Sequence, residues 1–465
     1  MAHPRFVDRE AELAELRSRY ERDDADLLVV YGRRRLGKSA LVRESIRDRT
    51  DAVYWQATEE TPDVQLADFV ATASETYPVL DDVRRDWEAL LRALGREDAV
   101  VVLDEFPYLV RSDDALPSKV QRVWDTALED TGTTLVLVGS SISVMEEKVL
   151  DGGSPLYGRR TFALDLPPLG LRDASRFYPG DDPETVVESW AVFGGTPYYL
   201  RALDPSASLA ENVRRHVLSE HGVLHNEPEF LLRTEFGIRE PGTYYTVLRA
   251  IATGKRAANE IADFAGVDSN ALGSYLSKLR RLRLVERDVP VTANPTATRK
   301  SRYRLTEPLF RFWFRYVYGQ QGKLAQLGDD AYERLVDPTF PAYMGPMFEE
   351  VCRDALPSLI PKTYRGVGYW WHDGHELDVV GLASDGTLVV GECKYTSRAM
   401  TEGDLADLER AAAAVEWTPP GGGDPTRHYC CFCRSGFSEG LRAVAAERGD
   451  VSLFTPADVV AGPSE

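Results

Sequence analysis

No run in this 465-residue chain approaches the roughly 18 consecutive apolar residues that a membrane-spanning helix needs. The opening Met1-Ala2-His3-Pro4-Arg5 leads into no hydrophobic signal region, so a cytoplasmic chain without a membrane partner is expected. Cysteine is also scarce: Cys352, Cys393, Cys430, Cys431 and Cys433 are an odd number crowded late in the chain, which argues against a disulfide framework. His428 beside three of them lacks the second spaced ligand pair of a zinc site, and Tyr429–Cys433 reads as a packed strand. Repeats and long low-complexity tracts are missing as well, which leaves ordinary globular domains.

What is present suits several such domains. The chain is 43% hydrophobic and 28% charged, and its length calls for two to four cores. A net charge of −19 would ordinarily exclude nucleic acid as a partner, because phosphates repel acidic surfaces. The distribution tempers that: residues 241–320 hold fourteen Lys/Arg against six Asp/Glu, a net +8 inside an acidic chain. The acidity elsewhere, with arginine far commoner than lysine, resembles proteins of salt-loving organisms, where acidic surfaces hold hydration.

The apolar run Leu27–Tyr31 reads as a buried strand and opens directly into Gly32-Arg33-Arg34-Arg35-Leu36-Gly37-Lys38-Ser39, which fits G-x-x-x-x-G-K-[ST]. Glycines let backbone N–H groups curl around phosphates, and a helix starting near Lys38 aims its positive end at them. Gly32, Gly37, Lys38, Ser39 and Ala40 are the expected nucleotide contacts, with Lys38 on the β/γ-phosphates and Ser39 on Mg²⁺. A second apolar run, Ala99–Leu103, ends in Asp104-Glu105, the Walker B arrangement: Asp104 to hold Mg²⁺ and Glu105 to polarise the attacking water. A third, Leu135–Val138, ends in Gly139-Ser140-Ser141, where Ser140 is the candidate phosphate sensor. Arg159 of Leu156-Tyr157-Gly158-Arg159-Arg160 is the candidate arginine finger.

The motifs FVDRE at Phe6–Glu10, RRRLGKS, LDEFPYL at Leu103–Leu109, GSSIS at Gly139–Ser143, SPLYGRR at Ser154–Arg160 and FGGTPYYL at Phe193–Leu200 together resemble the archaeal ATPase family, in the STAND-like branch of AAA+-related P-loop ATPases. The resemblance implies that Val7 and Arg9 lie near the adenine and that Pro197 closes over the nucleotide from a helical lid.

Within the basic window, Ala257–Phe264, a turn near Gly266 and Ser269–Leu282 have helix-turn-helix spacing, with two short strands expected around Pro290–Thr298 as a wing. Lys278, Arg280, Arg281 and Arg302 are the candidate nucleic-acid contacts; the same module can instead pack internally as a switch. Further on, His375–Val380 and Leu388–Lys394 read as strands, and period two sets Glu392 and Lys394 on one face of theirs and likewise makes Glu376 and Asp378 share a face. Two adjacent strands would bring Asp378, Glu392 and Lys394 together as a phosphodiesterase-type site with carboxylates for Mg²⁺. The pattern D-x(13)-E-x-K resembles the PD-(D/E)xK restriction-endonuclease-like superfamily, which implies a further carboxylate from a preceding helix, here Glu349.

The expected architecture is α/β and multidomain: a P-loop parallel-sheet ATPase core (1–170), a helical lid (171–240), a winged helix-turn-helix (241–320), a connector (321–340) and an α/β nuclease-like domain (341–465). The expected activity is ATP hydrolysis, with Mg-dependent nuclease activity, coupling nucleotide state to duplex or branched DNA. The alternative is a regulatory switch that acts on a protein partner or a homo-oligomer without cleaving.

Overall fold

A computed structural model describes residues 7, 9–178, 180, 182–234, 238 and 241–462. Met1–Arg5, Phe6 and Asp8, which the sequence reading used, lie outside the described residues. The contacts divide the chain into two units: Pro4–Leu169 with Thr196–Tyr198, and Gly170–Gly195 with Tyr199–Glu465.

The first unit is built on five strands: β1 (Asp26–Tyr31), β2 (Ala52–Gln56), β3 (Val100–Asp104), β4 (Thr134–Gly139) and β5 (Phe162–Asp165). They pair in parallel in the order β2-β3-β4-β1-β5. Both faces are covered: Leu27, Val29, Val101, Leu103, Leu135 and Leu137 enter one core, and Leu28, Val30, Val100, Val102, Val136 and Val138 the other. Burial on both faces is why β1, β3 and β4 read as continuous apolar runs rather than alternating ones. The register pairs Tyr31 with Gly139 and Gln56 with Asp104, so the residues after β1, β3 and β4 emerge along one carboxyl edge, where open α/β sheets bind ligands.

In the second unit, helices Ala258–Ala265 and Ser269–Arg281 flank a turn at Gly266, whose φ of 63° is the left-handed value of a helix C-terminus. Leu272, Leu276 and Leu279 are buried beneath the second helix. The two strands are β6 (Val285–Asp288) and β7 (Arg302–Leu305), paired antiparallel. They stand on either side of the segment Pro290–Thr298, as expected, and the segment itself has a local reason to stay out of the ladder. Pro290 and Pro295 donate no ladder hydrogen bond, and Asn294 Oδ1 accepts the Thr296 amide at 3.0 Å to close a turn.

Beyond the aromatic helix Pro308–Tyr316 and the helix Phe340–Leu359, five strands form a mixed sheet: β8 (Tyr364–His372), β9 (His375–Ala383), β10 (Thr387–Lys394), β11 (Thr426–Cys433) and β12 (Val451–Phe454). The order is β12-β11-β10-β9-β8, antiparallel among β8, β9 and β10 and parallel from β10 to β12. Central β10 is buried along Thr387–Gly391 and half-opens only at Glu392 and Lys394. The helix Phe340–Leu359 packs on β9 and β10. All five cysteines are buried and carry free thiols. Among the described residues no helix is long and apolar enough to cross a membrane.

Candidate nucleotide site and acid–lysine cluster

The loop leaving β1 turns on backbone geometry that only some residues tolerate. Gly32 has φ 144°, and a Cβ there would sit 2.7 Å from the Leu166 carbonyl oxygen, so a side chain is excluded. Gly37, at φ 87°, caps the helix Lys38–Ser45. Lys38 is buried, and its Nζ donates to the carbonyls of Gly32 (3.0 Å) and Arg33 (2.8 Å), which holds the ammonium against the loop. Ser39 is half-buried and Ala40 exposed in the first turn of that helix. Pro197 Cγ, of the same unit, lies 4.0 Å from the position of a Cβ on Gly37, so this proline reaches the loop.

At the end of β3, Asp104 is 1% exposed, and its two oxygens have separate donors. The Glu105 amide donates to Oδ1 at 2.8 Å, and the Tyr54 hydroxyl donates to Oδ2. Burial and the neighbouring carboxylate push the Tyr54 hydroxyl up to about 12, so it remains a donor. Glu105 has φ 53°, a left-handed value that a non-glycine residue adopts at a cost and that is common at functional turns. Ser140 Oγ donates to both Glu105 oxygens, at 2.8 and 3.1 Å. Sequence reading placed Ser140 toward the phosphate; here its hydroxyl holds Glu105.

The remaining candidates of the first unit divide. Arg9 and Val7 are buried, and Arg9 donates to Glu12 at 3.0 Å and to the Pro167 carbonyl. Arg159 is engaged away from the loop: its guanidinium grips Asp125 with two bonds of 2.9 Å. Tyr54 went unnoticed in the sequence. Its signal is strand position: Tyr54 pairs with Val102, so it shares a sheet face with Asp104, two residues on.

The second unit brings the downstream cluster together from three elements. Val379 pairs with Gly391, the last such pair before Asp378 on β9 and Glu392 on β10, where the Cys393 amide donates to Asp378 Oδ2 at 2.9 Å. Lys394 Nζ donates to Glu392. Glu349 comes from the helix Phe340–Leu359, one turn before Arg353, whose Nη1 holds the Asp378 carbonyl at 2.7 Å. Burial first, then the charges of Glu349 and Glu392, push Asp378 up to about 8. Burial likewise raises Glu349, against the pull of Arg256 and Arg353. For Lys394, burial opposes the ammonium but Glu392 and Asp378 outweigh it, so its pKa stands above the ordinary value.

Among the described residues no three His, Cys, Asp or Glu side chains converge as metal ligands do. Mg²⁺ does not require three, since it keeps several waters and takes one or two carboxylates. Asp378 with Glu392 fits that demand, and crowding that displaces a carboxyl by this much is relieved by a cation.

The basic residues split as well. Arg280 and Arg281 are exposed on the helix Ser269–Arg281, while Lys278 lies 5.1 Å from the Tyr244 ring centre. Arg302, a candidate nucleic-acid contact, is half-buried: it pairs with Glu376 and stacks on Trp371 at 4.5 Å. Arg304 pairs with Glu350 at 3.1 Å, Arg256 lies 4.0 Å from Glu349, and the Val291 amide donates to the Tyr369 carbonyl at 2.8 Å. The β6–β7 hairpin and its connection are thus bound to β8, β9 and the helix Phe340–Leu359. Sequence reading missed these because the acidic partners are tens of residues away.

Comparison with known proteins bears on both regions. The family of ATPase domains predominantly from Archaea matches residues 6–203, and a family described as Archaea bacterial proteins of unknown function matches residues 313–406. An uncharacterized protein of Methanocaldococcus jannaschii is 34% identical over 382 residues, covering 81% of this chain and 84% of its own. A Walker-type ATPase of Pyrococcus abyssi shares the fold at TM-score 0.50 and 20% identity, over 68% of this chain and 98% of its own. The ORC2 protein of Aeropyrum pernix, solved as ADPNP–ADP complexes, is a weaker likeness, with TM-score 0.45, 16% identity, and 72% and 96% covered. The N-terminal match, the parallel sheet with its glycine loop and a relative spanning more than four fifths of the chain make this protein a member of the archaeal P-loop ATPase family.

Proposed function

We propose that the chain hydrolyses ATP at the Gly32–Ser39 loop and uses the nucleotide state to control DNA engagement and phosphodiester cleavage at the Asp378/Glu392/Lys394 cluster. The amides of Gly37, Lys38, Ser39 and Ala40 receive the phosphates, and Lys38 exchanges the Gly32 and Arg33 carbonyls for phosphate oxygens. Ser39 and Asp104 face the metal side, Val7, Arg9 and Pro197 the base side, and Glu105 orients the attacking water. Ser140 restrains Glu105, so a γ-phosphate that drew the Ser140 hydroxyl away would free the carboxylate to take the water's proton. Arg159 contributes only if it leaves Asp125.

At the second cluster Asp378 and Glu392, with Glu349 behind them, would hold Mg²⁺, which supplies charge neutralisation to the phosphodiester. Lys394 orients the water or steadies the pentavalent phosphate. Lys278, Arg280 and Arg281 bring DNA phosphates to the helix–turn–helix, read here as a winged helix. The observation that carries this reading is the pairing of Asp378 on β9 with the Glu392–Lys394 end of β10, joined through the Cys393 amide, with Asp378 displaced to about 8. Purified protein is incubated with single-stranded, duplex and branched DNA, Mg²⁺ and ATP, beside Lys394→Ala. Cleavage by wild type alone is expected, and DNA left intact and unbound by wild type would sink the reading.

One observation favours a second reading, a nucleotide switch without cleavage. Arg302 and Arg304, cations that a DNA-binding wing would present, are held by Glu376 and Glu350 of the same unit. Under that reading Lys38→Ala abolishes nucleotide-dependent behaviour while Lys394→Ala changes nothing.

A further inference from the structure

Asp104 is almost wholly buried, and a buried carboxylate must have each oxygen satisfied in a fixed orientation. The Glu105 amide satisfies one oxygen, and that bond is local. The other oxygen depends on a residue 50 positions away, Tyr54 of the neighbouring strand β2. The ring of Tyr54 packs against the core cluster that holds Val100, Val102, Leu41 and Val42 of the helix Lys38–Ser45. Phenylalanine would serve that packing equally; the hydroxyl has its use at Asp104. The guanidinium of Arg43, from that same helix, lies 4.1 Å from the ring centre.

We infer that Tyr54 is a positioning residue of the nucleotide site: its hydroxyl fixes the rotation of the Asp104 carboxylate, and Arg43 clamps its ring to the helix that follows the phosphate loop. The strand-end carboxylate and the loop are thereby held as one piece, though they lie on strands separated by β4. With a donor on each Asp104 oxygen, the rotation of the carboxylate is fixed, and so is the direction of the lone pairs left over. Donors that orient a metal-binding carboxylate act on metal affinity without touching the metal. The inference rests on the placing of Mg·ATP at the Gly32–Ser39 loop.

Tyr54→Phe keeps the ring and removes the hydroxyl. A fluorescent ATP analogue is bound to the full-length protein without metal and then titrated with Mg²⁺. Metal-free affinity is expected to be unchanged, because Lys38 and the loop amides are untouched, while half-saturating Mg²⁺ rises about ten-fold. Saturating Mg²⁺ should restore turnover, separating an affinity defect from a lost catalytic group. Exposed Arg43→Ala should shift the titration the same way by less, and add little in the double variant if it acts through Tyr54. An unaltered Mg²⁺ response in Tyr54→Phe overturns the inference, as does a loss confined to metal-free affinity, which would make Tyr54 a packing residue. Asp104→Asn separates the levels: if it too leaves the Mg²⁺ response intact, the placing of the metal fails and not the role of Tyr54.

Discussion

The two carboxylate sites of this protein solve the same electrostatic problem in opposite ways. At the end of β3, Asp104 and Glu105 are matched by donors from their own surroundings: an amide and Tyr54 for one, Ser140 for the other. Around β9 and β10, Asp378 shares one amide, faces Glu349 and Glu392, and is pushed up to about 8. A carboxylate with its donors built in is ready before any ligand arrives. One crowded by like charges holds a proton or waits for a cation. The first arrangement suits a site that cycles through nucleotides, the second a site that is inert until metal and substrate come together.

The comparison breaks most visibly at Lys38. Lys38→Ala removes the buried cation that already holds the loop carbonyls, and ATP turnover is expected to fall by about 100-fold or more. DNA cleavage measured without nucleotide should survive, because the second cluster has its own lysine. If Lys38→Ala also silences cleavage measured without nucleotide, with the protein still folded, the second site does not work from its own residues and the contrast is false.

Acidity probes the second site alone. A carboxyl raised in the folded state binds its proton more tightly there than in the unfolded chain. Its stabilising contribution is therefore full below the ordinary aspartate value near 4 and is lost as pH climbs through about 8. Without divalent metal, the melting temperature of the wild type should decline across that window, and Mg²⁺ should recover more of it at pH 9 than at pH 6. Asp378→Asn should flatten both trends. A flat wild-type profile would show that Asp378 is not crowded.

Much of the first site was legible in the sequence, because continuous apolar runs ending in Gly32, Asp104 and Ser140 can hardly be read otherwise than as buried parallel strands. Strand β5 was not: Phe162–Asp165 is four residues of alternating exposure on a sheet edge, too short for a pattern. The D-x(13)-E-x-K spacing placed Asp378, Glu392 and Lys394 on facing strands by period two alone. What stayed hidden were partners. Arg302 looks like a free cation in a basic window, yet Glu376 takes it, and no periodicity links residues that far apart. Tyr54 is hidden for the same reason.

The Arg302–Glu376 pair offers a milder test, since ion pairs with an exposed partner contribute about 1 kcal/mol or less. Glu376→Gln leaves every cation in place and frees Arg302 from its partner. Duplex DNA should then bind a few-fold more tightly, with a steeper dependence on salt, if this arginine is otherwise available to phosphates. Trypsin should also cut sooner beside Arg299 and Lys300. Unchanged affinity with faster trypsin cutting would favour the switch reading.

The smallest effect belongs to Arg256, and it sharpens the contrast most finely. At 4.0 Å from Glu349 and partly open to solvent, it is a lent cation, not a built-in donor. Its removal should therefore worsen the crowding without changing its character. Arg256→Gln is expected to move the midpoint of the metal-free pH–melting profile upward by less than about one pH unit. A midpoint displaced that far would need about 1.4 kcal/mol, more than the roughly 1 kcal/mol that a partly solvated ion pair contributes. Saturating Mg²⁺ should abolish the difference between variant and wild type, because a divalent cation supersedes a distant guanidinium. A midpoint that stays fixed in Arg256→Gln would mean that Arg256 takes no part in the crowding, which then rests on burial, Glu392 and Arg353.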